Sequence, residues 1–127
     1  MYKQITELEK QLNIKVDLLI ICGDFQALRD QTDLDYLHCP PKYKSMGSFY
    51  KYFESQVNPP VLTVFIGGNH EAVNYMRNLY FGGWVAKNIY YLGQAGSITV
   101  SKGSTKIRIS GMSGIYNHRD FQYILKP

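Results

Sequence analysis

The sequence is poor in cysteine, in charged residues and in long apolar runs, and each shortage excludes a class of protein. Its 127 residues include two cysteines, too few for a disulfide framework, so we expect a reducing intracellular compartment. No apolar run reaches the roughly 18 residues of a membrane span, and the charged, amphipathic start does not resemble a signal peptide. We therefore expect no membrane association. With 45% hydrophobic and 19% charged residues, the chain can bury a core, which excludes intrinsic disorder.

The hydrophobic pattern that is present predicts one α/β domain. Apolar side chains share one helical face over residues 2–12, which predicts an opening helix. The apolar runs 16–22 and 61–66 are typical of strands buried on both faces, and the connection between them favours a parallel pair. The pattern also predicts helices over 48–56 and 71–79, and a meander of short strands at 89–92, 97–100 and 106–110.

Each of the two apolar runs ends in a glycine turn that presents polar groups. The turn at 22–24 supplies Asp24, and the turn at 67–70 supplies Asn69 and His70. Ligands of open α/β sheets bind beyond the carboxyl ends of the strands, so parallel neighbours would bring these side chains to one edge. Carboxylate and amide oxygens suit divalent cations, and an imidazole can ligate a metal or transfer a proton.

An ordinary structural role for these residues stays open at this point. A Gly-Asp after a strand is often only a turn that caps the next helix. Glu71 could simply favour the positive end of a helix that starts there. Two such motifs, each at the end of a strand, favour a shared site over two unrelated turns.

These motifs resemble those of the calcineurin-like metallophosphoesterases. Gly23-Asp24 and Gly68-Asn69-His70-Glu71 are similar to the second and third signature blocks of that superfamily, G-D and G-N-H-[ED]. Five longer segments resemble its lariat-debranching branch: CGDFQALR (22–29), PPKYKSM (40–46), IGGNHEA (66–72), YFGGWVAKNIYYLG (80–93) and SGMSGIY (110–116). Protein phosphatases carry G-D-x-x-D-R-G, whereas FQALR follows Asp24 here, which counts against a phosphoprotein phosphatase.

The resemblance implies a β-sandwich flanked by helices and a two-metal hydrolase. Its substrate would be the 2′–5′ phosphodiester bond at the branch point of excised intron lariat RNA, which places the protein in the nucleus. Asp24 would bridge two divalent ions (iron, zinc or manganese) and Asn69 would bind one of them. His70 would be catalytic, protonating or stabilising the leaving 2′-oxygen. The alternatives are another calcineurin-like phosphodiesterase acting on small nucleotides, or a non-catalytic RNA-binding module.

The match departs from the family pattern at both ends. A first block, Asp-x-His or Cys-x-His, should precede the helix at 2–12, and later histidine blocks should follow the last strand; neither is found. His38 and His118 match no block, and we expect both at the surface. We therefore interpret residues 1–127 as a partial catalytic domain, truncated at both ends. It would bind its metals incompletely, expose a strand edge and the apolar face of its first helix, and be inactive or nearly so alone. We expect a monomer.

Three further residues are candidates for contact with RNA. Lys42 and Tyr43 place a cation beside an aromatic ring in a loop, and could neutralise a phosphate and stack on a base. Trp84 follows a glycine pair that would leave its ring accessible, and it lies in one of the family-like segments. Against this, a lone tryptophan is usually buried.

Overall fold

Residues 1–119, which the computed structural model describes, form a four-stranded sheet with a separate β-hairpin. The helices are α1 (Tyr2–Leu12), α2 (Gln31–Asp35), α3 (Phe49–Phe53) and α4 (Val73–Asn78), with a 3-10 turn at Pro41–Tyr43. The strands are β1 (Leu18–Ile21), β2 (Leu62–Phe65), β3 (Gly83–Ala86), β4 (Ile89–Tyr91), β5 (Ala95–Lys102) and β6 (Thr105–Met112). The α/β class predicted from the sequence is confirmed. The two helices predicted at 48–56 and 71–79 exist but are shorter.

The order of the sheet is β1-β2-β4-β3, and its first three strands are parallel. Leu18 pairs with Leu62 and Ile21 with Phe65, so β1 and β2 end at the same edge of the sheet. This confirms the predicted parallel pair. The predicted meander is wrong, because β4 lies beside β2 in the sheet and β3 pairs antiparallel with β4. Only β5 and β6 form a separate hairpin.

β1 lies at the edge of the sheet, and the prediction that its run is buried on both faces is wrong. Ile20 is 50% exposed, whereas the central strand β2 buries Val64 and Phe65 completely. The sequences of the two runs are equally apolar, so only their position in the sheet distinguishes them. α1 has no buried residue, and Leu12 is 61% exposed. Among the described residues, a free strand edge and an exposed helix face are therefore both present, as expected.

The main core lies between the sheet and the helices α2–α4. Phe65 is fully buried, with its ring centroid 4.3 Å from that of Phe25 and 5.1 Å from that of Tyr91. Each large apolar side chain buried in this way contributes about 1.5–3 kcal/mol. Since Phe25 directly follows Asp24, this packing holds the turn after β1 against the central strand.

The β5–β6 hairpin leads the chain back to the turn that follows β2. A Cβ on Gly111 would lie 2.7 Å from Ile66 Cγ2, so hairpin and sheet are in direct contact there. Beyond the hairpin, the backbone N–H of Gly67 donates to Ser113 Oγ at 2.8 Å, and that of Gly114 donates to the Gly67 carbonyl at 2.7 Å. These bonds fix the start of the 67–70 turn. No helix within residues 1–119 is long and apolar enough to cross a membrane.

Candidate metal centre

Asp24 and His70 meet beyond the carboxyl ends of β1 and β2. The backbone N–H of His70 donates to Asp24 Oδ1 at 2.9 Å, and His70 Nδ1 lies 3.1 Å from Oδ2. The bond from the His70 backbone is the main reason why the pKa of the Asp24 carboxyl lies below its usual value, and the bond to the His70 ring adds to it. Asp24 is therefore ionised at neutral pH and available to a cation.

Asn69 presents its amide beside the same pair. Its Nδ2 lies 3.1 Å from each ring nitrogen of His70. This contact uses the nitrogen side of the amide, and no residue of the described part of the chain donates a hydrogen bond to Asn69 Oδ1. The structure thus brings together the three residues that the sequence placed in one site: a carboxylate, an amide oxygen and an imidazole.

The close approach of the two turns depends on glycine. A Cβ on Gly68 would overlap Asp24 Oδ1, and one on Gly23 would lie 3.3 Å from Gly68 Cα. Gly23 has a φ of +128°, and Asp24 a φ of +50°, a left-handed conformation that Asp tolerates better than most residues. The Asp24 carboxylate therefore fills the space that any larger residue at position 68 would need.

Glu71 is a buried carboxylate that links the same two turns, a role that the sequence did not reveal. Only 5% of the residue is exposed. Its Oε1 accepts from the backbone N–H groups of Phe25 at 2.9 Å and Gly68 at 3.1 Å, and its Oε2 accepts from that of Gln26 at 2.9 Å. Burial raises the pKa of Glu71, while the three N–H donors act in the opposite direction.

The alternative that Glu71 opens a helix is wrong. α4 begins at Val73, with Ala72 as its N-cap residue and no side-chain capping bond. The carboxylate points back to N–H groups 45 and 46 positions earlier in the chain. No local pattern could have revealed these partners, because they become neighbours only when β1 and β2 pair.

The side chains at this centre are of the types that bind divalent cations, but they are few in number. Oxygens of Asp24 and Asn69 and an imidazole nitrogen of His70 are ligands that divalent metals accept. Within residues 1–119, no group of three or more His, Cys, Asp or Glu side chains could hold a metal ion. The described residues therefore supply part of a coordination sphere, and a metal held by them alone would bind weakly.

Two cavities flank the centre. One of about 310 Å³ opens beside Asp24 and is lined by α3 residues that include Phe49 and Tyr52. The other, of about 300 Å³, borders Gly68 and includes Arg77 in its lining. The centre is thus bordered by open space next to each of its two turns.

Lys42 and Tyr43 stand apart from the three central residues. Both lie on the 3-10 turn, where Lys42 Nζ is 4.7 Å from the ring centroid of Tyr43, and Tyr43 is 65% exposed. Within the described chain, no hydrogen bond or ring contact connects them to Asp24. The two expected surface histidines, His38 and His118, are both exposed.

Trp84 lies on β3, at the far edge of the sheet from β1. With β2 and β4 between them, the two edge strands are roughly 14 Å apart. Trp84 is 61% exposed and contacts Tyr90 edge to face, with 5.1 Å between ring centroids. The alternative that this lone tryptophan is buried is therefore wrong.

The parallel strands, the Gly-Asp turn and the Gly-Asn-His turn together define a class of protein. The family model of the calcineurin-like phosphoesterases matches residues 1–126. The chain belongs to this family, and membership implies divalent metal ions.

Several curated relatives specify the likeness further. The chain is 52% identical to a lariat debranching enzyme of Arabidopsis thaliana over 121 residues, which are 95% of this chain and 28% of the relative. The identity to a lariat debranching enzyme of Danio rerio is 52% over 121 residues, 95% of this chain and 21% of the relative. The identity to a lariat debranching enzyme of Caenorhabditis elegans is 49% over 122 residues, which are 96% of this chain and 24% of the relative. The chain thus spans about a quarter of the length of these relatives.

Proposed function

We propose that this chain contributes to an enzyme that hydrolyses the 2′–5′ phosphodiester bond at the branch point of excised intron lariat RNA. The observation that carries the proposal is the Asp24–His70 pair at the carboxyl edge of the sheet. The chain that carries this pair is 52% identical, over 95% of its own length, to two relatives named lariat debranching enzymes. That substrate makes the nucleus the proposed location.

Asp24 and Asn69 are the proposed metal ligands. The Asp24 carboxylate has about four lone-pair sites and accepts from the backbones of His70 and Asn69 and from the His70 ring, so it retains capacity for a cation. Asn69 offers the oxygen of its amide. Two divalent ions, when bound, would supply Lewis-acid stabilisation and a hydroxide near neutral pH. Iron, zinc and manganese all accept such mixed oxygen and nitrogen donors.

His70 is the proposed proton donor. Hydrolysis joins a water oxygen to phosphorus and breaks the bond between phosphorus and the 2′-oxygen, which then needs a proton. An imidazole can deliver this proton near neutral pH. The Asp24 carboxylate, 3.1 Å from His70 Nδ1, orients the ring for that task. Trp84, Lys42 and Tyr43 are proposed RNA contacts outside this centre.

A chimera tests the proposal at full length. The 121 matched residues of the Arabidopsis relative would be replaced by those of this chain. The chimera would then be assayed with Mn²⁺ on branched RNA, linear RNA and cyclic nucleotides. We expect cleavage of the 2′–5′ bond only, and a loss of about 10²–10⁴-fold in the chimera with His70→Ala.

Three outcomes of that assay would contradict the proposal. A folded chimera that hydrolyses cyclic nucleotides but not the branch would support a different phosphodiesterase. RNA binding without cleavage, unchanged by Asp24→Ala, would support a non-catalytic RNA-binding module. Cleavage that survives His70→Ala unchanged would remove His70 as the proton donor.

A further inference from the structure

We infer that Glu71 is a positioning residue whose buried carboxylate holds the Asp24 turn and the Asn69 turn in the relative position that divalent-metal binding requires. The inference rests on the proposed metal-dependent function and adds a residue that is not itself a proposed ligand.

The partners of Glu71 are the immediate neighbours of both proposed ligands. Phe25 and Gln26 directly follow Asp24, and Gly68 directly precedes Asn69. Their backbone N–H groups donate to one side chain over distances of 2.9 to 3.1 Å. A single carboxylate thus connects the two turns through three bonds, in addition to the bonds between His70 and Asp24.

The turn after β1 needs such an anchor, because its backbone is unfavourable by itself. Asp24 has a φ of +50° and Gln26 a φ of +57°. Residues other than glycine keep left-handed conformations only where the surrounding structure holds them there. Glu71 supplies the acceptors for the N–H groups of Phe25 and Gln26, which lie within this left-handed segment. Without it, we expect the Asp24 carboxylate to lose its fixed position opposite Asn69.

The geometry separates the length of the side chain from its charge. Glu71→Gln keeps the length but has one acceptor oxygen, so it cannot satisfy N–H groups that bind two different oxygens. Glu71→Asp keeps the charge but is shorter by one methylene and cannot reach both turns. A positioning role predicts that both variants bind Mn²⁺ more weakly, whereas a purely electrostatic role predicts weaker binding only in the Gln variant.

The test is the dissociation constant of Mn²⁺, measured by electron paramagnetic resonance on the 127-residue chain and its variants. We expect both Glu71 variants to bind Mn²⁺ at least about tenfold more weakly, as for other residues that orient metal ligands. The matched control is Asp33→Asn. It also removes a buried carboxylate charge, but one that binds Arg29 and Asn74 and neither turn. We expect this variant to bind Mn²⁺ like the wild type.

Three results would overturn the inference. They are wild-type Mn²⁺ affinity in Glu71→Asp, an equal loss in Asp33→Asn, and no Mn²⁺ binding by the wild-type chain.

A second measurement needs no variant, and so remains decisive if the Glu71 variants do not fold. Linkage requires that a metal favoured by the Glu71 bonds stabilises those bonds in return. Saturating Mg²⁺ should therefore slow hydrogen exchange of the Phe25, Gln26 and Gly68 amides together. Exchange unaffected by Mg²⁺ would contradict the inference.

The two proposals fail separately. If Mn²⁺ binding depends on Glu71 but the chimera does not cleave branched RNA, the proposed function fails and the positioning role stands. If the chimera cleaves branched RNA and Glu71→Asp binds Mn²⁺ normally, the positioning role fails alone.

Discussion

The backbone N–H of His70 donates a 2.9 Å hydrogen bond to the carboxylate of Asp24, 46 positions earlier in the chain. This bond, together with those of the Glu71 carboxylate, joins the turns at the ends of the two paired strands. It also helps to keep the Asp24 carboxyl ionised, since it lowers the pKa of that group. The geometry and charge of the site therefore depend on backbone contacts between the turns as well as on their side chains.

Gly68→Ala should separate the two turns. Its Cβ would overlap Asp24 Oδ1 and lie 2.6 Å from the Asp24 nitrogen, and backbone cannot move aside cheaply. We expect a loss of about 1–3 kcal/mol in the free energy of unfolding, typical of overpacking, together with weaker Mn²⁺ binding. Urea denaturation and Mn²⁺ titration would measure the two effects.

The neighbouring glycine provides the control. A Cβ on Gly67 would meet its closest neighbours, in Glu71 and Ser113, at 3.5 Å, which is ordinary contact. Gly67→Ala should therefore cost much less. If Gly67→Ala and Gly68→Ala lower the free energy of unfolding equally, the steric overlap at position 68 is not the cause of the loss.

Asp33→Asn should destabilise the fold in a pH-dependent way. The fully buried Asp33 accepts from Arg29 Nε at 2.7 Å and from Asn74 Nδ2 at 2.7 Å. Burial acts to raise the pKa of Asp33, but the hydrogen bonds from Arg29 and Asn74 outweigh it and hold the pKa below its usual value. We expect a loss of roughly 2–3 kcal/mol at pH 7, the value of hydrogen bonds to a charged group.

The lowered pKa of Asp33 determines how its contribution to stability depends on pH. A carboxyl with a lowered pKa stabilises the fold above its unfolded-state pKa of about 3.9, and this stabilisation disappears as the pH falls through the folded-state pKa. The difference in unfolding free energy between wild type and Asp33→Asn, measured by urea denaturation, should thus be constant from pH 7 to 5. It should become smaller towards pH 3. Asp35→Asn is the control, because the exposed Asp35 carboxylate, within residues 1–119, accepts a hydrogen bond from Gln31 at 3.0 Å and none from a charged group. A gap independent of pH would contradict the ionised pair.

Trp84 should report RNA binding through its fluorescence. It is the single tryptophan of the chain and is 61% exposed, so its emission should be that of a solvated indole. Stacking on a base should quench this emission. Trp84→Ala should weaken RNA binding by about 1–3 kcal/mol, whereas Trp84→Phe should retain most of it. RNA binding detected by anisotropy without any change in Trp84 emission would exclude this residue from the interface.

The sequence predicted the parallel pair and the meeting of Asp24 with His70, because both follow from local patterns. An apolar run bounded by glycines identifies a strand, and two parallel strands that end together bring their turns together. What it missed depends on distant partners. α2 is five residues long, and its capping bond from the Asp33 N–H to Asp30 is reinforced by the Arg29–Asp33 ion pair and Asn74. A short polar segment of this kind has no hydrophobic periodicity to detect.

The burial of individual strand residues was not predictable, although an exposed strand edge was expected. Ile20 and Val64 occupy paired positions, and β1 is no less apolar than β2, yet Ile20 is half exposed and Val64 is fully buried. The difference is set by strand order, which composition does not encode. The role of Glu71 was hidden for a related reason, since two of its three partners, Phe25 and Gln26, belong to the distant turn after β1.

Paramagnetic broadening of backbone amides by Mn²⁺ tests most directly whether Asp24 and Asn69 bind a metal ion beside His70. The account predicts that low Mn²⁺ concentrations broaden the amide signals at residues 23–24 and 68–70 first, and that Asp24→Ala abolishes this effect while the rest of the spectrum is unchanged. Broadening that begins elsewhere, for example at the acidic residues of 30–35, or that persists in Asp24→Ala, would contradict it.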